Sequence, residues 1–256
     1  MSGGETASGV CNMAGGTDRL GKLDIDRILA ARFGYQRYFE ITTGTTGLVY
    51  GAARRAGFAE CRRLVYGRDR HEKSDGLPID FSSVDNETRD AMARVRAEGL
   101  AFDVILVDPH HTYDCSLRDI RDAFGLIGAN GALVVHDCDP PDRDIAAPEF
   151  SFGPWCGVTY KAFIDFVLGN RQLDYFTVDA DYGCGVILKR PPGSVMKRVR
   201  DAIDGLFTPS ADRELARRWR ACGDDYDAAF DLFEAERKRL LNLISPAEFR
   251  ARYADE

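Results

Sequence analysis

Phe102-Asp103-Val104-Ile105-Leu106-Val107-Asp108 is the stretch that decides the fold. It is apolar but for Asp103, has the length of a strand, and closes on an acid. A half-buried antiparallel strand would alternate apolar with polar residues, whereas an unbroken run marks a strand covered on both faces, as in the middle of a parallel sheet. On its carboxyl side the spacing predicts a helix over Ser116–Leu126, a turn at Gly128–Gly131, and a strand at Ala132–Val135 leading to Asp137. On its amino side Asn86–Glu98 reads as a helix, with Met92 and Val95 on one face and charges on the other.

Farther out the alternation continues. Asp24–Phe33 reads as a helix carrying Ile25, Ile28 and Leu29, and Arg37–Ile41 as a strand followed by the loop Thr42–Gly47. Leu48–Ala56 is a helix and Arg63–Tyr66 a strand. Toward the carboxyl end come a helix over Thr159–Leu168 and paired strands, Tyr175–Val178 and Gly185–Leu188, around Asp181–Gly183. Strands alternating with helices call for right-handed crossovers. The expected fold is therefore α/β: a Rossmann-like, doubly wound, mostly parallel sheet with helices on both faces. Residues 1–18 read as a flexible leader, 19–190 as the α/β domain, and 191–256 as a helical extension of mixed charge. Such a tail packs on the domain or on a second subunit, which leaves a homodimer open.

Composition narrows the function. The 256 residues carry 34 basic and 41 acidic side chains, a net charge of −7, so no global basic field for nucleic acid is expected. No apolar run reaches the roughly 18 residues of a membrane span. Seven scattered cysteines without a CxxC pair point to reduced thiols in a cytoplasm rather than to a disulfide framework.

In an open parallel sheet, ligands bind at the carboxyl ends of the strands. That rule selects Glu40 with the loop to Gly47, Asp69, Asp108–Tyr113 and His136–Asp139. Three of the four histidines (His110, His111, His136) fall on this rim. Imidazoles converging with carboxylates suit general acid–base chemistry or metal binding. The loop Thr42–Gly47 lacks the Gly-Lys-Ser/Thr of a phosphate-binding P-loop, and a GxGxxG fingerprint is absent.

These residues resemble class I S-adenosylmethionine-dependent methyltransferases. Glu40-Ile41 and its turn are similar to the family's first motif, and Asp69 to its ribose-binding acid. Phe102–Asp108 resembles the FDxIFIDG strand, and Asp108-Pro109-His110-His111-Thr112-Tyr113 the D-G-x-H-x-Y signature of a bacterial subgroup. Gly131–Pro140 resembles GGxIVxHDxxP, and Trp155–Phe163 and Asp181–Gly185 resemble further subgroup blocks. The similarity runs over roughly residues 35–190. Two departures touch the cofactor side: Thr42 stands at the usual first glycine, and Pro109 at the glycine after Asp108.

The resemblance implies S-adenosylmethionine as cofactor, held by Glu40, Thr42, Gly44, Gly47, Asp69, Asp85 and Asp108. It implies catalysis by His111, Asp108 and Asp137. His111 lies where related catechol-type enzymes carry a proton-removing lysine, and an imidazole can accept a proton at neutral pH. Asp108 and Asp137 correspond to magnesium ligands of that branch. Cys138 then stands where a hard oxygen ligand would be needed, so Asp139 is the substitute in a set for Mg2+ or another divalent metal. A small-molecule or glycan acceptor would meet His110, Tyr113, Trp155 and Lys161, beneath a lid formed by the proline-rich segment Asp139–Pro154. The activity implied is methylation of a hydroxyl. The alternatives are a non-catalytic S-adenosylmethionine- or nucleotide-binding module, which Thr42 and Pro109 favour, and a metal-dependent hydrolase.

Asp69→Ala is expected to weaken S-adenosylhomocysteine by about 1.5–3 kcal/mol, the cost of losing a charged hydrogen bond. Calorimetric titration measures it; unchanged affinity in a folded variant removes Asp69 from the cofactor site.

Overall fold

A computed structural model describes residues 20–43, 48–65, 92–170, 173–189 and 210–254 of the chain. The leader, Gly44, Gly47, Asp69, Asp85, the first turns of the 86–98 helix and the junction at 190–191 lie outside the described residues.

The described chain runs α1 (Lys22–Phe33), β1 (Arg37–Thr42), α2 (Leu48–Arg55), β2 (Glu60–Val65), β3 (Phe102–Asp108), α3 (Tyr113–Leu126) and β4 (Ile127–Val135). It continues with α4 (Thr159–Gly169), β5 (Asp174–Val178), β6 (Cys184–Leu188), α5 (Ser210–Cys222), α6 (Tyr226–Leu241), β7 (Leu243–Ile244) and α7 (Pro246–Tyr253). One sheet of seven strands has the order β2-β1-β3-β4-β6-β5-β7. Pairs β1–β2, β1–β3, β3–β4 and β5–β7 are parallel, while β6 runs antiparallel to both of its neighbours. This is the expected Rossmann-like, doubly wound, mostly parallel sheet.

The apolar run of β3 supplies both faces of the core. Ile105 and Val107 join Phe39, Ile41, Leu133 and Val135 on one face, beneath α3, α4, α5 and α6. Val104 and Leu106 join Tyr38, Val134 and Val186 on the other, beneath α1, α2 and α7. Alternate residues of a strand point to opposite faces, so one unbroken run feeds two layers.

Three local expectations change. The turn at Gly128–Gly131 is not a turn before a strand, because β4 already begins at Ile127 and these residues form an irregularity within it. A Cβ on Gly131 would lie 2.6 Å from the carbonyl oxygen of Asp103, so only glycine fits. The carboxyl-terminal extension is not wholly helical, since Leu243–Ile244 adds β7 to the sheet edge beside β5. Helix α3 starts at Tyr113, one turn before Ser116. The ends of the extension follow local rules: α7 opens with a capping box between Ser245 and Glu248, with Pro246 at its first position.

The extension is continuous with the core. Trp219, Phe230, Phe233 and Leu240 lie in the same apolar cluster as Ile105 and Phe163, and Phe249 packs on the opposite face. No helix among the described residues is long and apolar enough to cross a membrane. Trp219→Ala should therefore cost about 3–5 kcal/mol of whole-domain stability, as for other buried aromatics. Chemical denaturation should show one cooperative transition at lower denaturant; loss of a separate early transition alone would mean that the tail folds apart.

Candidate functional site

The chain reverses direction across the sheet between β1 and β3, its topological switch point, the place where open α/β sheets take ligands at their strand ends. Thr42 and Asp108 are register partners at that point. Glu40 is buried near the end of β1 and accepts a hydrogen bond from the Tyr38 hydroxyl at 3.1 Å. Burial pushes its carboxyl up, opposed by that hydrogen bond.

Asp108 ends β3 and is the centre of a charge network. Lys22 Nζ, from the first residue of α1, donates to Asp108 Oδ2 at 2.8 Å. His136 Nδ1 lies 3.3 Å from Asp108 Oδ1 and 3.0 Å from Asp137 Oδ2, and its Nε2 lies 3.4 Å from Asp181 Oδ2. Burial alone would lower His136, but Asp137 and Asp108 outweigh it and hold the imidazole well above its ordinary range. Burial would likewise raise Asp108; His136 and Lys22 overcome that and keep it ionised. Asp137 sits in the left-handed region at φ 60°, a strained place for a residue other than glycine.

His111 completes the cluster. Its Nε2 is 3.4 Å from Asp137 Oδ2 and its Nδ1 is 3.4 Å from the Thr159 hydroxyl at the start of α4. The backbone is tied there too, since Val158 N donates to His111 O at 2.9 Å. Gly157, at φ 52°, passes so close that a Cβ would meet that oxygen at 2.3 Å. Burial lowers His111, partly offset by Asp137 and Asp108, and so favours the neutral imidazole. Asp108, His111 and Asp137 bring three ligand atoms within 4.8 Å of one another, the geometry of a cation site with two carboxylates and one imidazole.

The other expected residues divide. His110 is buried beside the cluster, and the Trp155 ring lies 5.3 Å from both His110 and His111. Tyr113 and Lys161 are not brought into it. The Tyr113 hydroxyl and Lys161 Nζ each bind Asp165 Oδ2 at 2.8 Å, with the Trp219 indole N–H on Oδ1 at 2.7 Å. They join α3, α4 and α5 instead. Asp139 is not brought to the cation cluster either: its carboxylate lies 3.2 Å from Arg237 Nε on α6, and burial pushes it up to about 6 against that arginine. The supposed lid is likewise strapped down over its first half. Arg143 pairs with Asp227 and Asp231, and Arg237 donates to Pro140 O at 2.7 Å.

Sequence reasoning missed Lys22, which carries no motif and lies 86 residues from Asp108. Asp181 was visible only as part of a turn block; the structure gives it contacts with His136 and with the Lys22 backbone N–H.

No family model matches the chain, and no curated protein matches it. Among solved structures it is similar to an O-methyltransferase from Bacillus cereus in complex with SAH, at 12% identity and TM-score 0.44 over 68% of this chain and 82% of that one. It is similar to the O-methyltransferase TomG from Streptomyces achromogenes in complex with SAM, at 17% identity and TM-score 0.45 over 65% and 79%. It is also similar to the SAH-bound methyltransferase PaMTH1 of Podospora anserina, at 18% identity and TM-score 0.43 over 64% and 76%.

Asp181 yields a pH prediction. Burial would raise its carboxyl, but His136 and Lys22 bring it down to about 2. A carboxyl depressed on folding stabilises above its ordinary value and loses that contribution as pH falls through the folded value. The denaturation midpoint of Asp181→Asn should fall below that of the parent at neutral pH, and the gap should close between about pH 4 and pH 2. A gap that stays constant over that range would disprove the pairing.

Proposed function

We propose that the protein transfers a methyl group from S-adenosylmethionine to a hydroxyl of a small molecule or glycan. The observation that carries this reading is the imidazole of His111, fixed beside Asp137 and Asp108 at the carboxyl end of β3, next to β1 at the switch point. With Thr159 as the partner of Nδ1, His111 Nε2 takes the acceptor's proton, and Asp137 steadies the imidazolium that results. Holding acceptor and donor in line lowers much of the remaining barrier.

The chain's residues fit the cofactor. Bound S-adenosylmethionine supplies a methyl group already activated on a positive sulfur. Glu40, two residues before the end of β1, and Asp108, at the end of the adjacent β3, supply carboxylates for a cationic ligand. Asp26 of α1, fully buried and within electrostatic reach of Glu40, has neither carboxylate oxygen hydrogen-bonded. Thr42 belongs to this proposed site, and so do Gly44, Gly47, Asp69 and Asp85 outside the described residues. His110 and Trp155 border the acceptor side. The cysteine pattern supports a cytoplasmic protein, and the net charge of −7 a small-molecule rather than a nucleic-acid partner.

The grouping of Asp108, His111 and Asp137 favours a second reading, metal-dependent hydrolysis. That donor set accepts a borderline metal such as Mn2+ or Zn2+ as readily as Mg2+.

His111→Ala should lower methyl transfer about 100-fold while S-adenosylhomocysteine affinity is retained. EDTA should leave the parent's rate unchanged. Hydrolysis without a methyl donor, lost with EDTA and restored by Mn2+, would establish the second reading. Absence of S-adenosylhomocysteine binding would end the first.

A further inference from the structure

Lys22 is the member of the charge network that the methyl-transfer reading leaves without a task. It is fastened at two points. Its backbone N–H donates to Asp181 Oδ2 at 3.1 Å, and its Nζ donates to Asp108 Oδ2 at 2.8 Å. The side chain is only 17% exposed, so the ammonium is turned into the rim and does not trail in water. A lysine held from both ends supplies a fixed point charge with three N–H donors.

The carboxylates of the Asp108, His111 and Asp137 grouping already face donors of the chain itself. Asp108 Oδ2 has Lys22, and Asp108 Oδ1 has His136 Nδ1 at 3.3 Å. Asp137 Oδ2 has His136 Nδ1 at 3.0 Å, and Asp137 Oδ1 accepts from the Cys156 thiol at 3.3 Å. Lys22 Nζ also lies 3.4 Å from His136 Nδ1 and within electrostatic reach of Asp137. A divalent ion needs oxygen lone pairs of its own at about 2.0–2.6 Å. It is also repelled by a cation a few ångströms away, most strongly where water is scarce.

We infer that Lys22 is the resident cation of this site: its ammonium stands in for a metal ion and completes the rim without one. The three ligand atoms within 4.8 Å of one another thus mark a place that the chain fills from the first residue of α1. In this role Lys22 is a positioning residue, acting through Asp108 and Asp137 on the imidazole of His111. The role itself goes beyond the methyl-transfer reading; only its consequence, transfer that proceeds without a metal, rests on that reading. It counts against hydrolysis by a bound metal, because that ion would share Asp108 with an ammonium 2.8 Å away.

The test is the binding of Mn2+ alone to the full chain, read from the paramagnetic resonance of the free ion. Lys22→Gln removes the charge and keeps an N–H for Asp108. It should bind Mn2+ about tenfold more tightly than wild type, or better, as one nearby cation is deleted. Lys22→Arg, which restores the charge, should bind as weakly as wild type. Adding Asp108→Asn to Lys22→Gln should abolish the gain. Mn2+ should also raise the melting temperature of Lys22→Gln and leave that of wild type unchanged, a readout that survives a loss of stability in the variant. Equal Mn2+ affinity in wild type and Lys22→Gln overturns the inference. So does tight binding by Lys22→Arg, or a gain that survives Asp108→Asn. No methyl donor is present in these titrations, so failure of the resident cation is distinguishable from failure of the methyl-transfer reading, which S-adenosylhomocysteine binding decides.

Discussion

Asp108 is a carboxylate at the end of β3, an interior strand of the sheet, with Lys22 at 2.8 Å and His136 at 3.3 Å. An ion so placed loses most of its hydration, and a loss of several kcal/mol must be offset by close opposite charge. Asp137 and Asp181 add two further carboxylates to the same rim, and His136 and Lys22 reach from Asp108 to them, His136 to both and the Lys22 backbone to Asp181. The network therefore fixes where other elements go. Lys22 ties the start of α1 to the end of β3, and Asp181 draws in the turn between β5 and β6. That turn is tight enough to place Asp181 and Tyr182 at positive φ.

The opposite wall follows another logic. Lys161 is buried, and Asp165 neutralises it, while Tyr113 and Trp219 face it with their rings and donate hydrogen bonds to Asp165. A buried ammonium with this company is a joint between α3, α4 and α5, with little freedom left for a ligand. The arginines of the 139–155 segment and α6 play the equivalent part on the surface, tying the rim segment to the tail. One half of that segment is thereby fixed, and its aromatic tip is set beside the histidines.

Much of this was legible in the residues. The unbroken run of β3, the helices at 3.6 spacing and the acids at or just past the ends of β3 and β4 follow from local rules, because a strand or helix is specified by its own periodicity. His111, Asp108 and Asp137 were readable because they sit within a few residues of strand ends, and strand ends are where the sheet opens. The bulge at Gly128–Gly131 was not, because glycine signals a turn and a bulge alike. Nor was β7, whose two residues have no pattern apart from their pairing with β5.

Sequence alone determined the layer architecture, the rim and the imidazole–carboxylate set upon it. Tertiary structure decided the partners: Lys22 on Asp108 across 86 positions, Asp165 for Tyr113 and Lys161, Arg237 for Asp139. The physical reason is range. Backbone periodicity is set within a few residues, whereas a side chain's charge partner is whichever group the packed core brings within about 3–4 Å, and no local pattern encodes that choice.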